Sequence, residues 1–175
     1  SFFFILLEER ALIFADCAVN IDPTAEQLAE IAIDTTETAI KFGMKPKIAF
    51  LSFSTHGSAS HPHVSKVQQA AQIARQKRPD LPIDGDLQVD AALIPDIANC
   101  KLKNSSDIQG DANILIFPDL NSGNISYKLV QRLAHALALG PVFQGLAKPV
   151  NDLSRGCSIE DVINISAITS VEVTN

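Results

Sequence analysis

"KIAFLSFSTHGSASHPH", residues 47–63, is the stretch on which the fold turns. Ile48, Ala49, Phe50 and Leu51 follow one another without polar alternation. A strand of that kind is covered on both faces, as in a parallel sheet buried between helices. The polar, glycine-containing loop after it, and a helix expected over about 64–77, complete one strand–loop–helix unit.

The unit recurs downstream. "ANILIFPDL", 112–120, reads as a second buried strand leading into a glycine loop, "NSGN", 121–124. Helix "ISYKLVQRLAHAL", 125–137, is expected to close at Gly140, and "PVFQGL", 141–146, is a short strand before a last helix from Ser158. Upstream, the apolar runs 2–7 and 11–15 flank the polar link "EER" and predict a hairpin. Asp22 before Pro23 predicts a helix N-cap. That helix runs through "AEQLAEIAIDTTETAIKF" and ends at Gly43. "LPIDGDLQVDAAL", 81–93, reads as a short strand, a turn and a further helix start. Strands alternating with helices in this way give an α/β class, with a largely parallel sheet layered with helices.

Composition narrows the function. With 175 residues the chain holds roughly one domain, or a compact domain plus a piece of another. It is 46% hydrophobic and 19% charged, as soluble globular proteins are. A formal charge of −6 without a basic patch argues against a nucleic-acid partner. A phosphorylated small molecule needs only a few local cations and stays open. Cys17, Cys100 and Cys157 are too unevenly spaced for a disulfide framework or a metal knuckle, so reduced thiols in a cytoplasm are expected. The apolar run "SFFFILL" is far too short to span a membrane and lacks a signal peptide's leader. Because the chain opens inside an apolar strand, an upstream segment is expected.

Three loops follow apolar strands: "STHGSAS", 54–60, "NSGN", 121–124, and "NDLSRG", 151–156. Ligands gather outside strand carboxyl ends in parallel sheets, so these loops are expected to line one cleft. Their hydroxyl and backbone donors suit phosphate or acyl oxygens, yet the same residues dominate ordinary turns. His61 and His63 flank Pro62 with no third ligand to complete a metal site, and His56 and His135 stand alone. Cys157, beside Arg155 at a helix start, has two influences that lower a thiol pKa, but lacks a neighbouring base and is expected to be a semi-buried structural residue. Ser158 and Asp161 have the spacing of a capping box, so Asp161 has a structural role open to it as well as a chemical one.

The whole stretch "KPVNDLSRGCSIEDVINISAITSV" resembles the C-terminal signature of the phosphate acetyltransferases (phosphotransacetylases). The similarity runs on through "FADCAVN", "PTAEQLAEIA", "AFLSFST", "KRPDLPIDGDLQVDAAL" and "ANILIFPDLNSGNISYKLVQRL", in the family's order. The resemblance implies an isocitrate dehydrogenase-like fold lacking most of its first domain. Residues 1–130 would be the second α/β domain, and 131–175 the segment returning to the first and carrying the "NDLSRG" motif. It further implies reversible acetyl transfer between acetyl phosphate and coenzyme A in the cytoplasm. The partners would be small molecules, in a homodimer, without nucleic acid or membrane, with no tightly bound cofactor and no metal. In the catalytic set, Asp161 would be the base for the CoA thiol. Ser154 would donate a hydrogen bond to developing negative charge, and Arg155 would contact the anionic substrate or CoA.

The family's long N-terminal portion, with further arginines on the phosphate side of the cleft, has no counterpart here. A fragment with weak or no activity is therefore expected. Two other readings share the fold: a phosphate butyryltransferase with a longer acyl pocket, and the acetyl-CoA-sensing, oligomerising C-terminal module of a hybrid malic enzyme. Joint retention of Ser154, Arg155 and Asp161 favours catalysis over sensing.

Overall fold

Ile48–Leu51 form a strand with every side chain buried, and the architecture is built around it. The computed structural model describes residues 1–102, 106–153 and 155–174. In chain order the elements are β1 (Phe2–Leu6), β2 (Ala11–Ala15), α1 (Ala25–Lys41), β3 (Ile48–Leu51), α2 (Pro62–Lys77), β4 (Ile83–Leu87), α3 (Val89–Leu93), α4 (Pro95–Leu102), β5 (Ile114–Ile116), α5 (Leu120–Leu133), β6 (Leu137–Val142) and α6 (Ile159–Thr174).

Among the described residues the six strands form one sheet in the order β4-β3-β5-β2-β1-β6. β3 pairs with β4 and β5 in parallel, and β2 with β5 likewise. β1 runs antiparallel to both β2, as the predicted hairpin, and β6. The α/β class holds, and the sheet is mixed: parallel on the β4 side, antiparallel around β1.

Alternate side chains of the central strands feed two cores. On one face Phe2, Phe4, Ile13 and Phe50 pack with Leu28 of α1, Val67 of α2, and Ile165 and Ile168 of α6. On the other, Phe3, Ile5, Phe14 and Leu115 pack with Ala98 and Leu102 of α4, and with Tyr127 and Val130 of α5. The polar run "TTET" sits inside α1 without penalty to its buried hydroxyls. Thr35 and Thr36 donate to the carbonyls of Ile31 and Ala32, one turn back.

Four boundaries differ from expectation. The cap of α1 is Thr24, not Asp22: its hydroxyl accepts from Gln27 N–H, and the Gln27 side chain returns the bond to Thr24 N–H. Asp22 instead pairs with Lys66 at 2.7 Å. "NSGN" is not a loop but the first turn of α5, because Asp119 accepts from Ser122 N–H at 2.8 Å and starts the helix early. α5 stops at Leu133 rather than Gly140, since Leu137, Ala138 and Leu139 pair with Leu6, Ile5 and Phe4 as β6. Within 81–93, read as a short strand, a turn and a helix start, the strand β4 runs through Gly85 to Leu87 and the helix α3 starts at Val89.

Candidate functional site

β6 is an edge strand, and Asn151 returns beside its last residue, Val142, in an antiparallel bridge. Asn151 fixes that return. Its Oδ1 accepts from Phe143 N–H at 2.9 Å, while its amide donates to Thr169 Oγ1 at 2.8 Å and Glu172 Oε2 at 3.0 Å. One side chain thus ties the loop to the end of β6 and to α6, and Leu153 packs against the α1–α2–α6 core. Ser154 lies outside the described residues. Arg155 is exposed and Cys157 half-buried.

Asp161 sits in the first turn of α6. Ser158 donates to its Oδ2 twice, from the backbone N–H at 2.8 Å and the hydroxyl at 2.9 Å; Asp161 N–H returns a bond to Ser158 Oγ at 3.1 Å. The capping box suggested by the spacing is present. The Ser158 backbone N–H, then its hydroxyl, holds the Asp161 carboxyl below its ordinary value by stabilising the charged form. Oδ1 takes no part in these bonds, and Asp161 as a residue is partly exposed.

Asp161 lines a groove of about 680 Å³ that crosses the β6 edge between α5 and α6. Gly140 and Pro141 lie on its floor, Asp152, Cys157 and Asp161 on one side, and Tyr127, Lys128, Gln131 and Arg132 on the other. Tyr127 stacks on Phe3 with ring centroids 4.1 Å apart, which fixes the α5 wall to the sheet. Arg155 is not among the residues of this groove. Lys128 and Arg132 are not among the residues that the family resemblance points to. Their spacing of four, which puts both on one side of a helix, was the available signal.

The three loops do not share a cleft. Asn121 and Ser122 line a separate, mostly apolar cavity of about 550 Å³ beyond the carboxyl ends of β3 and β5, with Phe53, Val89 and Phe117. His56 lines a third, polar one of about 510 Å³ at the β4 edge. There His56 Nε2 lies 2.9 Å from Asp84, which Arg75 also contacts, and Gln68 donates to Asp86 at 2.9 Å. The separation follows from strand order. β3 and β6 are four positions apart, each about 4.8 Å wide, so their loops end on different parts of the sheet edge. Among the described residues no group of three or more His, Cys, Asp or Glu is placed to hold a metal ion, and no helix is long and apolar enough to cross a membrane.

A family model described as phosphate acetyl/butaryl transferase matches residues 1–170. The phosphate acetyltransferase of Clostridium acetobutylicum is 58% identical over 166 residues, 94% of this chain and 50% of that protein. The structure of a phosphotransacetylase from Streptococcus pyogenes superposes with a TM-score of 0.94 at 52% identity, over 99% of this chain and 54% of that one. A branched-chain phosphotransacylase from Enterococcus faecalis superposes at 0.80 with 29% identity, over 98% and 62%. The chain therefore spans about half to three fifths of the length of these relatives, and about a quarter of several others. With the match running through every element from β1 to α6, the chain belongs to the phosphate acetyl/butaryl transferase family.

Proposed function

We propose that the protein containing this chain transfers an acetyl group reversibly between acetyl phosphate and coenzyme A, and that this chain supplies one wall of its site. The observation that carries the reading is the family match over residues 1–170. Identity of 50% or more to acetyltransferases, against 29% to the branched-chain enzyme, supports acetyl over a longer acyl group.

In the forward direction the CoA sulfur attacks the acetyl carbonyl carbon. A C–S bond forms, the C–O bond to phosphate breaks, and the thiol proton leaves by way of Asp161 to the departing phosphate. Ser154 donates to the carbonyl oxygen as it gains negative charge, a contribution of the oxyanion-hole type. Arg155 contacts the anionic substrate or CoA, and its exposed position leaves it free to reach a molecule in the groove mouth. CoA and acetyl phosphate come and go as substrates.

The wider reading is a cytoplasmic homodimer in which residues 1–130 form the second domain and 131–175 return towards the first. The three free cysteines fit a reducing compartment. The test is thioester formation from acetyl phosphate and CoA by this chain and by the full product of its gene. The full product should turn over and this chain should be weak or inactive; a full product without activity would sink the reading.

A further inference from the structure

Asn151 joins the helix that bears Asp161 to the start of the loop that bears Ser154 and Arg155. It precedes Ser154 by three positions. On α6, Asp161, Ile165, Thr169 and Glu172 follow at spacings of four, four and three, so they share one side of the helix. Ile165 buries that side in the core. Asp161 lines the groove at its near end, and the Asn151 amide grips its far end. The partners dictate the side chain. Phe143 N–H can only donate, and Asn151 Oδ1 accepts from it at 2.9 Å. Thr169 gives its hydroxyl proton to the Ile165 carbonyl at 2.7 Å, which leaves its oxygen to accept from Asn151 Nδ2 at 2.8 Å. The Glu172 carboxylate accepts from the same nitrogen at 3.0 Å. One acceptor and two donors are needed within a single short side chain, and asparagine has that set.

We infer that Asn151 is a positioning residue for the acetyl transfer proposed above: it fixes α6, and with it the Asp161 carboxylate, against the end of β6 and the loop that leads to Ser154. The inference rests on that functional reading. Asn151 touches no reacting atom and exchanges no proton. It acts by setting where the thiol's proton acceptor stands relative to the acyl carbon, and a misplacement of about 1 Å can cost on the order of a hundredfold in rate. The effect therefore falls on turnover more than on substrate affinity.

The test is steady-state kinetics of the full-length enzyme. Asn151→Asp puts a carboxylate oxygen where Glu172 needs a donor, and should lower kcat by about tenfold to a hundredfold, with KM for acetyl phosphate and CoA within about threefold. Adding Glu172→Gln supplies a donor opposite the new carboxylate and should return kcat to within about threefold of the parent. A role confined to stability would cost the same factor whatever stands at position 161. Asn151→Asp in an Asp161→Asn background should instead cost less than about threefold, because residues acting as a unit are not additive. Equal losses in the two backgrounds would overturn the inference; so would parental kcat in a folded Asn151→Asp. If circular dichroism shows Asn151→Asp unfolded, Thr169→Val with Glu172→Ala removes both α6 acceptors and leaves the Phe143 bond. A fall in kcat at constant KM then upholds the inference, and parental kcat overturns it. A full-length parent without thioester formation sinks the acetyl-transfer reading and this inference with it, whereas an active parent with indifferent variants sinks this inference alone.

Discussion

In the proposed acetyl transfer Asp161 would have two duties that pull against each other. As the N3 residue of a capping box it is held ionised by Ser158, below the ordinary 3.8. A thiol has a pKa of about 8.5, so full proton transfer to such a carboxylate is uphill by roughly four orders of magnitude or more. A standing pool of thiolate made by Asp161 is therefore not an efficient route; the proton has to leave while the C–S bond forms. Complete ionisation of the thiol at pH 7 would yield only about thirtyfold in any case, whereas losing a donor to a developing oxyanion costs on the order of 10²–10³. Ser154→Ala should thus lower kcat at least as much as Asp161→Asn, and parental turnover in Ser154→Ala would refute the oxyanion role. Ser158→Ala gives the complementary prediction. Loss of the hydroxyl should let the Asp161 pKa rise and move the acid limb of kcat/KM to higher pH; an unmoved limb would separate the two residues. The stability term has the opposite use of the same bond. Asp161 is depressed in the folded state, so its contribution is present above the unfolded pKa of about 3.9 and is lost as pH falls through the lower folded value.

Among the elements, α5 is the one whose placement matters most and was least legible. "NSGN" has the composition of a turn, yet Asp119 caps it into helix, and Gly123 is required there by contact rather than by backbone freedom. A Cβ on Gly123 would lie 2.3 Å from the Asp16 carbonyl oxygen and 3.2 Å from Cys17 Sγ. In an open helix Gly→Ala stabilises by about 1 kcal/mol. Here the clash is with backbone, which cannot swing aside, so Gly123→Ala should destabilise by about 1–3 kcal/mol. The midpoint of urea unfolding reads this directly, and a rise would contradict the close approach. By shifting α5 outward the same change should also disturb the Lys128–Arg132 wall. Strands β3 and β5 were legible because both their faces are buried, so the apolar run itself is the signal. β6 was not, since its partner β1 lies more than a hundred residues upstream and only that pairing makes Leu137–Leu139 a strand. The capping pair Ser158–Asp161 was readable from spacing alone. The groove was not, because it joins α5 to α6 around a sheet edge that no local pattern announces, and the roles of Ser154, Arg155 and Asp161 came from family resemblance.

At the scale of the molecule, one sheet serves two cores, and this predicts how the chain unfolds. Phe2 and Phe4 face the α1–α2–α6 side while Phe3 and Ile5 face the α3–α4–α5 side, so removing either layer exposes the same β1 strand. Neither core can open far without costing the other its backing, and each fully buried Phe, Leu or Ile contributes about 1.5–3 kcal/mol. The chain has one tyrosine and no tryptophan, which makes Tyr127 a probe confined to one side, where it stacks on Phe3. Leu28 is buried on the opposite side, in α1. Leu28→Ala should cost about 2–5 kcal/mol and move the urea transition seen by Tyr127 emission as far as the one seen by far-ultraviolet circular dichroism. Coincident transitions are the signature of a single cooperative unit. If Tyr127 kept its parental midpoint while the dichroism shifted, the two layers would be separate folding units, and the sheet would not couple the α5 wall of the groove to the α1 core.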